Sequence, residues 1–217
     1  EGPGLRLVTS MADPALTPDQ AFRHAVALQR AGRYADAEAL CVRILAADAK
    51  HAETLNLLGV LAGQSGRAER AEEMFGQAIA ADGDTASYHS NLANVLMRQG
   101  RLDEAVAAYE RALGLKPDFP DALSNLGNAL REMGRPAEAV RYYERALALA
   151  PGASGYLYNL GNALCDLGRL DEAAGRFKQA LALRPAFPQA LSNLGVCLQH
   201  LGHAEEAVAY LTQALAL

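Results

Sequence analysis

The sequence predicts an all-α protein, a stack of six helical hairpins, and three observations carry that prediction. Glycine recurs every 34 residues, at Gly32, Gly66, Gly100, Gly134, Gly168 and Gly202. Five residues after each comes an alanine: Ala37, Ala71, Ala105, Ala139, Ala173 and Ala207. Hydrophobic residues form 51% of the 217-residue chain while aromatics are only 6% and Trp is absent, a balance led by alanine and leucine that favours helices over sheets.

The elements follow in order from the period. Units of 34 residues start near 18, 52, 86, 120, 154 and 188, the last ending at 217, after a tail over residues 1–17. Within a unit the first helix carries apolar residues at helical spacing, as at Leu123, Leu126 and Leu130. A glycine such as Gly134 then ends it as a left-handed cap. The second helix opens near "PAEA", where Pro136 suits the first turn and Glu138 suits the positive helix end. Four residues beyond the alanine stands a bulky residue: Cys41, Phe75, Tyr109, Tyr143, Phe177 or Leu211. Next come Ile44, Ala78, Ala112, Ala146, Ala180 and Ala214, and Pro117, Pro151 and Pro185 close three of the units. The small residues Gly127 and Ala139 allow close approach of the two helices, with Tyr143 and Leu126 filling the space beside them. One hairpin cannot bury its own apolar face, so the units stack as a solenoid.

The run "LSNLGNAL…G…A…Y…A…P" over 123–151 resembles the tetratricopeptide repeat family, and the resemblance extends over residues 18–217. It implies a right-handed α-solenoid that binds other proteins. The first unit departs most, with His24 in place of Leu, Ala25 in place of Gly and Cys41 in place of an aromatic, and is read as a capping repeat.

The asparagines are the candidate site. On a helical wheel Asp121, Asn125, Asn128 and Glu132 share one face, opposite the apolar set. The resemblance places that face on the inner, concave wall, so stacking aligns Asn91, Asn125, Asn159 and Asn193 in one row. Asn94, Asn128 and Asn162 form a second row beside it. Seven asparagines in helices cost about 0.5 kcal/mol each relative to alanine, which calls for something to offset it. One reading is peptide capture, because each carboxamide presents a donor and an acceptor that match one peptide group. Neighbouring helices about 8–10 Å apart would meet an extended ligand, rising ~3.3 Å per residue, roughly every third residue. The other reading is hydrogen bonding between helices of the solenoid, and the two are compatible. Tyr158 and Met97 project near the same groove, read either as apolar pockets or as partly buried core residues, with Arg98 and Arg131 beside Glu132 and Asp166. The ladder is also similar to that of O-GlcNAc transferases, where asparagines hold substrate peptides. Repeats that clamp acidic C-termini set Lys and Arg around such asparagines; the matching neighbours here are Ser87, Ser90, Asp121, Ser124, Tyr158, Gln189 and Ser192.

Other features point to no chemistry. Net charge is −5 with no basic block, which argues against nucleic acid and anionic membranes as partners. Residues 146–165 are uncharged, but Pro151, Gly152, Gly155 and Gly161 mark a helix end, a turn and a new helix within them. Cys41, Cys165 and Cys197 lack CxxC spacing, so a reducing, cytoplasmic location is expected; Cys165 and Cys197, 32 residues apart in corresponding regions of adjacent repeats, read as packing or groove residues and not as a redox pair. His200 and His203 flank a helix stop without a third ligand, and no metal or cofactor is expected. Phosphate loops, HExxH and nucleophile elbows are absent, so no enzymatic activity is expected of this segment. "EGPGLRLVTS" reads as an appended stretch, with Met11 as the native start.

The sequence stops at "LTQALAL", leaving Leu211, Ala214, Leu215 and Leu217 as an apolar flank. The expectation is a longer native chain, or end-to-end self-association through this uncapped repeat. The leading functional reading is a non-enzymatic module that holds an extended peptide or partner helix in its groove. The alternatives are the substrate-recognition region of a larger glycosyltransferase and a self-associating scaffold.

Overall fold

The computed structural model describes residues 17–217, and the expectations for residues 1–10 and for Met11 lie outside them. Among the described residues all regular structure is helical, in twelve helices. They fall into two compact units, one up to Gly83 and one from Asp84.

The first unit holds α1 (Pro18–Arg30), α2 (Tyr34–Ala47), α3 (Ala52–Gln64) and α4 (Ala68–Ala81). Thr17 and Gln20 close a reciprocal capping box at the start of α1, at 2.9 and 3.3 Å. At α3 the cap is His51, whose Nδ1 accepts from the Thr54 amide at 3.3 Å. The two hairpins share a core of Ala25, Leu28, Ala37, Cys41, Ile44, Leu55, Leu58, Leu61 and Phe75. Arg67 donates to both Glu38 carboxylate oxygens, at 2.9 and 2.8 Å, and so ties the hairpins together. The expected departures of the first repeat are explained by size. Cys41 is fully buried where the second repeat carries Phe75, and a Cβ at Gly59 would stand 2.5 Å from that ring. Ala25, opposite the smaller Cys41, has room for its methyl.

The second unit holds α5 (Ala86–Arg98), α6 (Leu102–Leu115), α7 (Pro120–Glu132), α8 (Pro136–Leu149), α9 (Ser154–Asp166), α10 (Leu170–Leu183), α11 (Pro188–His200) and α12 (Ala204–Leu215). Each helix packs on the next in sequence, and α5, α7, α9 and α11 also pack on one another in that order. The first helices of successive hairpins therefore form a continuous row. The core runs the length of the unit through Tyr109, Leu123, Leu126, Tyr143, Leu160, Phe177 and Leu194, each essentially without solvent contact.

Close helix approach has the predicted origin. A Cβ at Gly127 would sit 2.7 Å from Tyr143 Cε1, and one at Gly161 would sit 2.5 Å from Phe177 Cε1. The corner glycines also behave as expected: Gly134 has φ +73°, and the other five share the left-handed region. Beyond it the Arg135 amide reaches back to the Leu130 carbonyl at 2.9 Å, the six-to-one bond of a Schellman turn.

An arginine follows the corner glycine in five of the six repeats, at Arg33, Arg67, Arg101, Arg135 and Arg169. Arg101, Arg135 and Arg169 occupy the cap positions of α6, α8 and α10 and pair with Glu104, Glu138 and Glu172 at 2.6–2.7 Å. The guanidinium hydrogen bonds hold the three carboxyls below their usual range. These pairs are well exposed and shape the corners more than they stabilise them.

Candidate functional site

The candidate wall is the row α5, α7, α9 and α11. Helical periodicity brings Asn125 and Asn128 to one side of α7, Asn159 and Asn162 to one side of α9, and Asn193 to the matching side of α11. Asn91 and Asn94 stand on α5. All seven are half-buried, neither sealed between helices nor standing free in water.

Part of each carboxamide is spent within the unit. Asn125 donates through Nδ2 to Asn94 Oδ1 at 3.0 Å, joining α7 to α5. Asn193 makes the equivalent bond to Asn162 Oδ1 at 2.7 Å and a longer one to the Tyr158 hydroxyl at 3.3 Å. Asn159 donates to Ser124 Oγ at 3.4 Å. From the second helices, Tyr109 donates to Asn94 Oδ1 at 2.6 Å and Tyr143 to Asn128 Oδ1 at 2.7 Å. Burial pushes both tyrosine hydroxyls well above their ordinary range, so they remain donors at any working pH.

The bonded atoms follow a rule. In the row of Asn125, Asn159 and Asn193 the inward contact uses Nδ2, and no described residue donates to Oδ1. In the row of Asn94, Asn128 and Asn162 the inward contact uses Oδ1, and Nδ2 meets no acceptor among the described residues. One row thus has spare acceptors, the other spare donors.

The flanking residues divide. Tyr158 is half-buried, its ring 4.9 Å from Phe187 and 5.9 Å from Phe177, so it is a packing residue as well as part of the wall. Phe187 is itself buried beside that ring, at the turn that leads into α11. Arg131 reaches Asp166 on the next first helix at 2.6 Å, while Arg98 is exposed near the end of α5. Ser90 and Ser124 do not line an open surface: both are buried, because their positions lie under the adjoining helix.

Two further associations cross between the first helices, and the first of them has no counterpart among the sequence expectations. The Tyr156 hydroxyl donates to the Asp121 carboxylate, a third bridge between α9 and α7, and burial followed by that carboxylate pushes the phenol up to about 12. The Cys165 and Cys197 sulfurs lie 3.1 Å apart. Their 32-residue spacing places them in corresponding regions of adjacent repeats, but it does not by itself bring two sulfurs into contact, and the expectation against a redox pair rests on the missing CxxC motif. Among the described residues no cluster of three metal-ligating side chains occurs, and no helix is long and apolar enough to cross a membrane.

No curated protein sequence matches the chain. Among solved structures the fold is similar to PilW, described as a widely conserved type IV pilus biogenesis factor, with TM-score 0.85 and 23% identity over 94% of each chain. It is similar to pilF of Pseudomonas aeruginosa, with TM-score 0.81 and 20% identity over 89% of this chain and 88% of that one. YrrB, described as a TPR protein with an unusual peptide-binding site, matches with TM-score 0.68 and 24% identity over 81% of this chain and 91% of that one. A TPR repeat family model matches residues 93–134, and tetratricopeptide repeat models match 28–95, 118–186 and 158–217. With left-handed glycine corners at the same spacing, and a small residue facing a buried aromatic in most hairpins, the chain belongs to the tetratricopeptide repeat family.

Proposed function

We propose that the row α5–α7–α9–α11 is a binding wall for an extended segment of another protein, held mainly through its backbone, in a module without catalytic activity of its own. The observation that carries this reading is the division of labour between the two asparagine rows. Spare Oδ1 atoms of Asn125, Asn159 and Asn193 accept from ligand amides, and spare Nδ2 atoms of Asn94, Asn128 and Asn162 donate to ligand carbonyls. Because the other half of each amide is fixed to a neighbouring helix, the side chains are already oriented, and little rotamer entropy is lost on binding. Asn91, Tyr158, Arg98 and Arg131 flank this strip, the last neutralised by Asp166. The peptide-binding site of YrrB, a protein of similar fold, is in keeping with such a role.

A peptide array probed with wild-type chain and with the Asn125→Ala/Asn159→Ala variant tests the reading. Bound peptides should lose at least tenfold in affinity while helical circular dichroism is retained. Affinity that stays level while the melting temperature drops would assign the amides to inter-repeat bonding alone.

Exposure on α12 favours a second reading, association of two copies through that helix. Val208 is 64% exposed and Leu215 89%. Light scattering should then show a concentration-dependent dimer that Val208→Glu abolishes; a monomer throughout removes it.

A further inference from the structure

The thiols of Cys165 and Cys197 have no part in the proposed ligand contacts, yet they meet across the seam between α9 and α11. Cys165 lies one turn beyond Asn162 on α9, and Cys197 one turn beyond Asn193 on α11. Since Asn193 and Asn162 are bonded at 2.7 Å, the sulfur pair at 3.1 Å is the next rung across the same seam. Both sulfurs are free thiols. A disulfide needs them at ~2.05 Å, a closure of about one ångström between side chains whose helices are already held together. Access is unequal, with Cys165 half-buried and Cys197 only 2% exposed.

We propose that Cys165 and Cys197 are a modification site, closing to a reversible disulfide on exchange with a low-molecular-weight disulfide and thereby clamping hairpin 154–187 to hairpin 188–217. The exchange balances in two steps. The Cys165 sulfur, having lost its proton, attacks one sulfur of the small disulfide; that S–S bond breaks and the first small thiol leaves, taking up a proton. The Cys197 sulfur, likewise deprotonated, then attacks Sγ of Cys165 in the mixed disulfide, and the second small thiol leaves with a proton. Two cysteine sulfurs are oxidised and one small disulfide is reduced to two thiols. Access sets the order, because the reagent reaches Cys165 first and only Cys197 is close enough to resolve it. Burial, reinforced by the neighbouring thiol and by Asp166 and opposed by Arg131, pushes the Cys165 thiol up to about 12. The first step is therefore slow at neutral pH and quickens as pH rises.

The test uses the reduced chain incubated with glutathione disulfide, followed by intact mass, thiol counting and non-reducing peptide mapping. Two of the three thiols should disappear together, leaving Cys41, which is fully buried, still free. The mass should fall by two hydrogens, a peptide linking Cys165 to Cys197 should appear, and dithiothreitol should reverse all three changes. The melting temperature of the closed form should rise by several degrees. Cys197→Ala should arrest the reaction as a glutathione adduct on Cys165. A lasting adduct on Cys165 in the wild-type chain, links only between separate chains, or identical products from wild type and Cys197→Ala would each overturn the proposal.

Discussion

Tyr143→Ala should cost the unit from residue 84 about 3–5 kcal/mol, the range for emptying a fully buried aromatic site. The ring has no solvent exposure, lies against Gly127 where no Cβ fits, and belongs to a core shared with Leu126, Ala139 and Leu160. No neighbouring side chain can collapse into that space without dragging a helix, since α7 and α8 are held at contact distance by the ring itself. Tyr143→Phe separates the hydroxyl from the ring. It should cost only about 1 kcal/mol, because Asn128, which loses a 2.7 Å bond, is half-buried and can turn to water. The chain contains the comparison already, in Phe177 at the equivalent place. Urea titrations followed by circular dichroism measure both variants. Equal losses for Phe and Ala would move the stabilisation from the ring to the hydroxyl.

The second large effect is the reverse operation, adding volume. Gly161→Val puts a Cβ 2.5 Å from Phe177 Cε1 and two further methyls nearby, and should destabilise by about 3 kcal/mol. Gly161→Ala should be milder, about 1 kcal/mol, and the reason is visible two repeats earlier. Ala93 stands at the position equivalent to Gly161 and Tyr109 at that of Phe177, both fully buried, so a hairpin of this type accommodates one methyl. On a Phe177→Ala background Gly161→Val should add far less than it does in the wild-type chain, since the obstructing ring is gone. Additive losses in that cycle would show that the valine acts through helix propensity and not through the ring.

These expectations show what the sequence exposes and what it conceals. Helix ends are legible because a single backbone requirement, a positive φ at Gly134 and its counterparts, leaves almost one residue type to choose from. The small-against-large pairing is legible for the same kind of reason, as Gly127 and Tyr143 answer one steric problem. The asparagine rows are legible as rows, through helical spacing alone. Their internal partners are not. Whether Asn159 meets Ser124 or Asn128 depends on rotamers and on the offset between α7 and α9, and no periodicity encodes either. By sequence alone Ser90 and Ser124 fall on the groove because polar residues default to the surface, whereas here a hydroxyl lies under a neighbouring helix. The cysteine pair matches no motif spacing, because its members sit in different repeats and their proximity depends on the period of the stack.

The asparagine bridges along this wall run from one repeat to its predecessor, through Asn125 to Asn94, Asn159 to Ser124 and Asn193 to Asn162. A guest seated on those same side chains would stiffen the spring as it binds. Grip at one rung would then lower the entropic cost of grip at the next, and long segments would be favoured over short ones out of proportion to their length.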